Sequence, residues 1–333
     1  MLTLGIETSC DETAVGVVED GTILSNIVSS QIAHSKFGGV VPELAARDHI
    51  RTVVPITRVA LEVAKKRIHD IDLISVTRGP GLIGALLVGL SFAKSLSIAL
   101  QKPFIGVNHL EGHIYALRLN GQRLQYPYLV LMVSGGHTEV VFIENEFVYR
   151  TLGRTTDDAC GEAFDKVAKL LGLPYPGGPY IEKYAQQGTL GAVKLPVPRP
   201  KKLSFSYAGL KTAVLYYTRD NPDYEQHDVA ANFQESALQH LVEVVDKALD
   251  RTGARNLGVV GGVSANSCLR EKFRALARRK GIQLHIPDMQ YCTDNGAMIA
   301  LAGERRFERF GASDLAADAV AREPLDAIAS SKS

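Results

Sequence analysis

At 333 residues with 46% hydrophobic side chains, the chain is long enough for roughly two domains with sizeable cores and too apolar to be disordered. Its formal net charge of +1 excludes a general electrostatic grip on nucleic acid, so RNA contacts must come from local basic patches or from partner subunits. Cys10, Cys160, Cys268 and Cys292 form no C-x-x-C pair, which fits reduced thiols in a cytoplasm. No basic segment followed by an apolar run marks the N-terminus, so no secretory signal is expected.

In chain order, Leu4 to Gly21 reads as an apolar strand, a small polar turn, a second β-branched strand and a tight turn into a third strand. A helical pattern covers Pro42 to Ile68. Gly79-Pro80-Gly81 lacks the Gly-Lys-Ser/Thr of a P-loop and reads as a tight turn into Leu82 to Leu100. That stretch is apolar enough to be mistaken for a membrane span, but Lys94 and three serines interrupt it. A buried core helix is expected there, and no membrane association. Val107 to Leu119, closed by Asn120-Gly121, reads as a short helix carrying His109 and His113 four residues apart on one face. Such a pair is either a structural coincidence or two ligands of a metal ion whose third ligand, usually a carboxylate, comes from elsewhere. Glu111 points to the opposite side, and the order His-Leu-Glu-Gly-His departs from the His-Glu-x-x-His of zinc proteases.

Laid on itself at an offset of 125, the chain places Leu4 to Gly21 over Leu129 to Glu146 without a gap, Ser9 on Ser134, Thr13 on Thr138 and Glu19 on Glu144. Helical patterns follow at Ala159 to Leu171, at Ile181 to Gln187 behind Gly177-Gly-Pro-Tyr180, and at His227 to Thr252. Leu257 to Asn266 is an apolar strand entering a Gly-Gly turn. The class is therefore α/β, with two like-folded lobes: residues 1–125, residues 126–310, and a frayed Ala- and Asp-rich tail over 311–333. Small polar turns expose backbone N–H groups that can cradle phosphate, and two facing copies would make a nucleotide and metal cleft between the lobes. Taken alone, each turn is equally an ordinary strand connection. Basic clusters at Arg199 to Lys202, Arg278 to Lys280 and Arg305 to Arg309 read either as solvated faces or as patches for RNA, the first and last able to join a composite surface with partner subunits.

Five segments together resemble the TsaD family of tRNA threonylcarbamoyladenosine synthase subunits, earlier taken for glycoproteases. They are Gly5-Ile-Glu-Thr-Ser-Cys-Asp-Glu-Thr13, Asn108-His-Leu-Glu-Gly-His113, Val133-Ser-Gly-Gly-His-Thr138, Gly261-Gly-Val-Ser-Ala-Asn266 and Thr293-Asp-Asn-Gly-Ala-Met-Ile-Ala300. Phe205-Ser-Tyr-Ala-Gly-Leu-Lys-Thr212 is similar too, with Tyr207 where the family pattern has Phe. The resemblance implies the actin-like ATPase fold. It also implies transfer of a threonylcarbamoyl group from threonylcarbamoyl-AMP to the N6 amine of the adenosine adjacent to the anticodon in tRNAs reading ANN codons. It carries His109, His113 and Asp294 over as metal ligands, a set that suits Fe(II) and that Zn(II) tolerates. Val133, Ser134, Gly135, Gly136, His137, Asp165, Gly178 and Asn266 carry over as the threonylcarbamoyl-adenylate site. In bacteria the family implies two partners, an inactive-like paralogue and a small ATPase. The apolar helices of the first lobe, Pro42 to Ile68 above all, offer either a partner surface or core packing. Asp11 and Glu12, in the first lobe's turn, could orient the attacking amine or a metal-bound water.

Three rival readings stay open. A kinase or ATP hydrolase of the same fold would use the paired turns equally well, although Ser134 stands where an acid for Mg²⁺ would be useful. A non-catalytic nucleotide-binding scaffold would be indifferent to His109 and Asp294, and a protease is poorly served by Glu111. The sequence names neither the metal nor the general base, nor the stoichiometry of any complex, nor the surface that meets tRNA.

Overall fold

The computed structural model describes residues 1–30, 39–122, 124–199 and 202–328. In chain order the elements are β1 (Leu2–Glu7), β2 (Glu12–Glu19), β3 (Thr22–Ser30), α1 (Pro42–Ala64), β4 (Leu73–Gly79), α2 (Ile83–Leu100), β5 (Phe104–Asn108), α3 (His109–Ala116), β6 (Tyr128–Val133), β7 (Thr138–Asn145), β8 (Val148–Arg154), α4 (Cys160–Leu170), α5 (Gly177–Ala185), α6 (Ala208–Asp220), α7 (Gln226–Thr252), β9 (Asn256–Val260), α8 (Ser267–Lys280), β10 (Gln283–His285) and α9 (Gly296–Phe310). They form two compact units, Met1–Leu124 with Pro287–Ser333, and Gln125–Ile286.

The first unit is built on a five-stranded sheet of order β3-β2-β1-β4-β5 and the second on one of order β10-β9-β6-β7-β8. The repeat is visible in the ladders: Leu4 pairs with Val17 across the first antiparallel hairpin, and Leu129 with Phe142, each 125 positions on, across the second. A parallel strand then adds to the other side of each first strand, β4 beside β1 and β9 beside β6. Each unit is thus the same hairpin ribbon extended by parallel crossovers.

In the first unit, β1 and most of β2 are buried along their length, so the sheet is covered on both faces. Strand alternation sends Leu2, Leu4 and Ile6 into a core with Val53, Ile56 and Ala60 of α1, each fully buried aliphatic contributing ~1.5–3 kcal/mol. Thr3, Gly5 and Glu7 therefore face the other side, where α9 lies almost on the backbone. A Cβ on Gly5 would meet the carbonyl oxygen of Gly296 at 2.1 Å, and one on Gly16 the amide of Ala297 at 2.4 Å. In the second unit a single core gathers Phe164, Phe205, Phe233 and Phe273 around Leu238 and Leu241 of α7.

Three expectations need correction. Residues 287–310 belong to the first unit, because α9 packs on β1, β2 and β4 and supplies one face of that sheet. The tail is not frayed as far as Ile328: Ser313 donates to the carbonyl of Phe104 (2.9 Å), Val320 to that of Arg78 (2.8 Å), and Leu325 and Ile328 are buried. Nor is α2 a fully buried core helix. By length and composition it could cross a membrane, yet it packs on α1 and β4 through Ala85, Leu86, Gly89, Leu90 and Ala93 and leaves Ile83, Leu87 and Ile98 exposed.

Two features set how helix α3 packs on α9. Gly112 sits against Ile299, whose Cδ1 a Cβ there would meet at 2.6 Å, and Glu111, fully buried, pairs with buried Arg306 at 3.1 Å. Removing one member of such a pair leaves a desolvated charge. Glu111→Leu should therefore cost about 3–5 kcal/mol in chemical denaturation, whereas Glu111→Leu combined with Arg306→Met should lose far less than the two single losses added. Equal, additive losses would show that the pair does not act as a unit.

Candidate functional site

Strand β5 runs directly into α3 through Asn108, whose side-chain oxygen accepts from the amides of Leu110 (2.9 Å) and Glu111 (3.3 Å) and so caps the helix. The tail holds that cap, since the Asn108 amide donates to the backbone carbonyl of Glu323 at 2.9 Å. From one face of the capped turn project His109 and His113, their rings 4.8 Å apart and nearly perpendicular. Asp294 comes from the loop before α9, fixed by Asn295, which caps α9 by accepting from the Met298 amide at 2.9 Å. Oδ1 of Asp294 lies 3.5 Å from Nε2 of His109 and 3.2 Å from Nε2 of His113. One ligand atom from each of the three residues falls within 4.8 Å of the others, all inside the first unit.

These residues fit a divalent ion. Neither ring nitrogen of His113, a buried side chain, makes a hydrogen bond among the described residues, although Asp294 is close enough to form one. A cation held by the three residues would give the His113 ring the partner it lacks. His109 is oriented from behind: its Nδ1 lies 3.0 Å from Oε2 of Glu7 and 3.2 Å from the Ser9 hydroxyl, which directs Nε2 at the site. Glu7 is itself held by the Ser9 amide and the Thr77 hydroxyl, each donating at 2.5 Å. Sequence reasoning missed Glu7 in this role. Its signal was a carboxylate closing an otherwise apolar strand.

The electrostatics favour a cation. Burial alone would strip the proton from His109, but Asp294 and Glu7 push its pKa up to about 9. Burial would raise the Glu7 carboxyl, but His109 outweighs this and the net shift is downward. Glu12 is pushed up to about 8, first by burial and then by Asp294 and Asp11, and it accepts from the Ser30 hydroxyl at 3.2 Å. Burial, then Asp11, raises the Cys10 thiol, so it is no thiolate nucleophile. The Ser9 turn is not an open phosphate cradle: its amide is spent on Glu7, and its carbonyl accepts from Leu82 at 2.8 Å.

The second unit carries the other candidates. The Ser134 turn is closed by its own chain, the Ser134 amide donating to the His137 carbonyl at 2.8 Å and the His137 amide to the Ser134 hydroxyl at 3.1 Å. Gly135 and Gly136 are exposed, neither has positive φ, and a Cβ on either would meet nothing within 4 Å. Glycine is thus not demanded by the fold at those positions. Gly161, at the start of α4, packs on this turn and donates to the Ser134 carbonyl at 3.1 Å. At the buried end of β6, Val133 meets Gly261, whose φ of +91° and 2.5 Å approach to the Val133 carbonyl exclude any larger residue. Asp165 accepts from the Gly177 amide at 2.7 Å, holding the start of α5, where Gly178 is half-buried and a Cβ would meet nothing within 4 Å. Asn266 is buried and already engaged: its oxygen caps α8 by accepting from Leu269 (2.9 Å), and its amide donates to Gln234 (2.9 Å). Its backbone amide donates to the Val263 carbonyl at 3.0 Å, closing the turn that Gly261 opens.

A family model described as tRNA N6-adenosine threonylcarbamoyltransferase matches residues 22–301. A protein of that name from Thermosipho melanesiensis is 54% identical over 323 residues, covering 96% of this chain and 98% of its own length. Another from Thermosipho africanus is 50% identical over 325 residues, covering 96% and 98%. Among solved structures, HypF of T. kodakarensis superposes with a TM-score of 0.63 at 16% identity, over 91% of this chain and 47% of that one. The activator of 2-hydroxyisocaproyl-CoA dehydratase from Clostridium difficile, solved with bound ADPNP, superposes with a TM-score of 0.55 at 14% identity, over 92% and 96%. These two share the fold, that of actin-like ATPases.

The metal assignment predicts that His113→Ala leaves the purified protein without stoichiometric metal by elemental analysis. Glu7→Gln, which keeps the size of the side chain but not its charge, should weaken metal affinity about 10–100-fold, the scale typical of groups that orient a ligand. Undiminished metal in His113→Ala would remove the site.

Proposed function

Because the chain belongs to the tRNA N6-adenosine threonylcarbamoyltransferase family, we propose that it moves a threonylcarbamoyl group from threonylcarbamoyl-AMP to the N6 amine of the adenosine next to the anticodon in tRNAs reading ANN codons. The observation that carries the metal-dependent form of this reading is the His109, His113 and Asp294 cluster, with Glu7 behind His109. In the reaction the N6 nitrogen attacks the carbamoyl carbon, the bond from that carbon to the phosphate oxygen breaks, AMP leaves with the electron pair, and N6 sheds a proton. His109, His113 and Asp294 would hold one divalent ion, Fe(II) by the chemistry of two imidazoles and one carboxylate, with Zn(II) compatible. Such an ion polarises donor oxygens and leaves coordination positions open. Asp11 and Glu12 orient the attacking amine.

On the second unit, the exposed residues Gly135 and Gly136 would receive the phosphate or acyl oxygens of the donor through their amides, and Ser134 and His137 set the shape of that turn. Val133, Asp165, Gly178 and Asn266 contribute through the positions they fix: Val133 and Asn266 seat the Gly261 turn, and Asp165 holds α5 so that Gly178 presents bare backbone. The packed pair α1 and α2 exposes Ile50, Val54, Ile83 and Leu87, an apolar face suited to an inactive-like paralogue subunit, with a small ATPase completing the bacterial assembly. The enzyme works in the cytoplasm, where its tRNA substrate is found.

Purified chain supplied with threonylcarbamoyl-AMP, the paralogue, the ATPase and unmodified tRNA should yield threonylcarbamoyladenosine on mass-spectrometric nucleoside analysis. Steady ATP turnover with no modified nucleoside would instead favour a kinase or ATP hydrolase. A Cβ at Gly136 meets nothing within 4 Å and the residue is exposed, so Gly136→Val should change the melting temperature little while weakening binding of a threonylcarbamoyl-AMP analogue in calorimetry. Normal affinity in that variant would contradict the turn assignment.

A further inference from the structure

Helix α8 is basic along its length, and its two flanks differ in how that charge is met. Toward α7, Lys272 reaches Glu235 at 2.6 Å, Arg279 reaches Asp246 at 2.8 Å, and Lys280 reaches Asp250 at 2.5 Å and Asp246 at 2.7 Å. Toward β10, Arg270, Arg274 and Arg278 recur every fourth residue, rising about 6 Å per step along one face. They wall a groove of about 460 Å³ floored by Ile282, Leu284 and Ile286. Arg270 is tethered through Nε to the Ser264 carbonyl at 2.8 Å. Arg274 and Arg278 are exposed, and among the described residues no carboxylate pairs with either.

The other basic clusters are spent differently. Arg306 is buried against Glu111, and Arg305 pairs with Glu308 on its own helix. In the Arg199 to Lys202 stretch, Arg199 stands 3.9 Å from Glu243, and residues 200 and 201 lie outside the described residues. In a chain of net charge +1, the α8 groove thus presents two exposed guanidinium groups one helical turn apart, those of Arg274 and Arg278, that no carboxylate pairs with among the described residues. We propose that it is a contact for the phosphate backbone of the tRNA substrate, an inference that rests on the transferase reading above. Guanidinium forks match phosphate oxygens in geometry, and the apolar floor gives their stems a surface to lie on while the charged ends stay outward.

The test uses the full chain assembled with its partner subunits and unmodified tRNA as the probe. Arg274→Gln with Arg278→Gln should weaken tRNA binding on the order of 10-fold and flatten the dependence of log affinity on log salt by about 2, one unit per lost phosphate contact. Arg274→Lys with Arg278→Lys should keep the salt slope, and Arg279→Gln with Lys280→Gln, on the neutralised flank, should change it little. Binding of a threonylcarbamoyl-AMP analogue should be unchanged in all three. Wild-type affinity and salt slope in the Gln variant, in an assembly that still makes threonylcarbamoyladenosine, overturn the groove assignment and leave the transferase reading intact. Loss of a partner subunit from the Gln variant, with tRNA binding preserved, overturns it in favour of an acidic peptide on the partner. If the wild-type assembly binds tRNA through this groove but transfers nothing, the transferase reading fails and the groove assignment stands.

Discussion

The chemistry of the first unit depends on how closely α9 can approach the β1–β2 hairpin. Asp294 lies two residues ahead of that helix, and the histidines it must meet lie on α3, more than 180 positions earlier in the chain. Three glycines, Gly5, Gly16 and Gly296, remove the side chains that would hold the surfaces apart, and each would place a Cβ within 2.5 Å of backbone on the other side. Gly112 allows the same closeness between α3 and α9, and the buried Glu111–Arg306 pair fixes the register. Packing of this kind is not continuously deformable, so an error of one methyl group would move a ligand out of reach. Period-2 alternation in β1 does the rest: the face that admits Gly5 to α9 also carries Glu7, which stands behind His109.

That arrangement collects negative charge in a place with little water. Glu7 is fully buried, Asp294 and Glu12 are partly so, and although burial lowers the pKa of His109, Asp294 and Glu7 outweigh it and raise the affinity of that ring for positive charge. A buried histidine whose other nitrogen is already bound to a carboxylate has one free direction, and the unbonded nitrogens of His113 share it. Charge balance in such a site calls for a cation, and the donor types call for a divalent one.

How much of this was legible follows from where each signal is stored. The duplicated ribbon was readable because hairpin register is local: the 125-residue offset reappears residue for residue in the ladders. The His pair was readable because four residues make one helical turn. The resemblance, not the pattern, supplied Asp294, since nothing local links it to α3. The return of α9 to the first unit was hidden for the same reason. The tail misled because its bonds to the carbonyls of Phe104 and Arg78 use backbone, which an Ala- and Asp-rich composition does not reveal. Composition likewise cannot say which face of α2 is covered, and Glu111 looked like a bystander because its partner lies 195 positions away.

The two copies of the repeat have parted in chemistry while keeping their geometry. At the end of the first strand one copy has Glu7, whose carboxylate captures the Ser9 amide and turns the Ser9 hydroxyl toward His109. The equivalent residue in the other copy is Met132, which can accept no such bond of comparable strength, and the following turn closes on itself through Ser134 and His137. Gly81 packs on the Ser9 turn, where a Cβ would meet the Ser9 carbonyl at 2.5 Å, much as Gly161 packs on the Ser134 turn, where a Cβ would meet the Ser134 carbonyl at 2.8 Å. The first turn spends its amide on Glu7 and its hydroxyl on His109, and the second closes on itself and leaves Gly135 and Gly136 exposed. A single substitution at the strand end, carboxylate against thioether, accounts for much of that division, which is why the same ribbon backs a metal-binding cluster in one unit and presents two exposed glycines in the other.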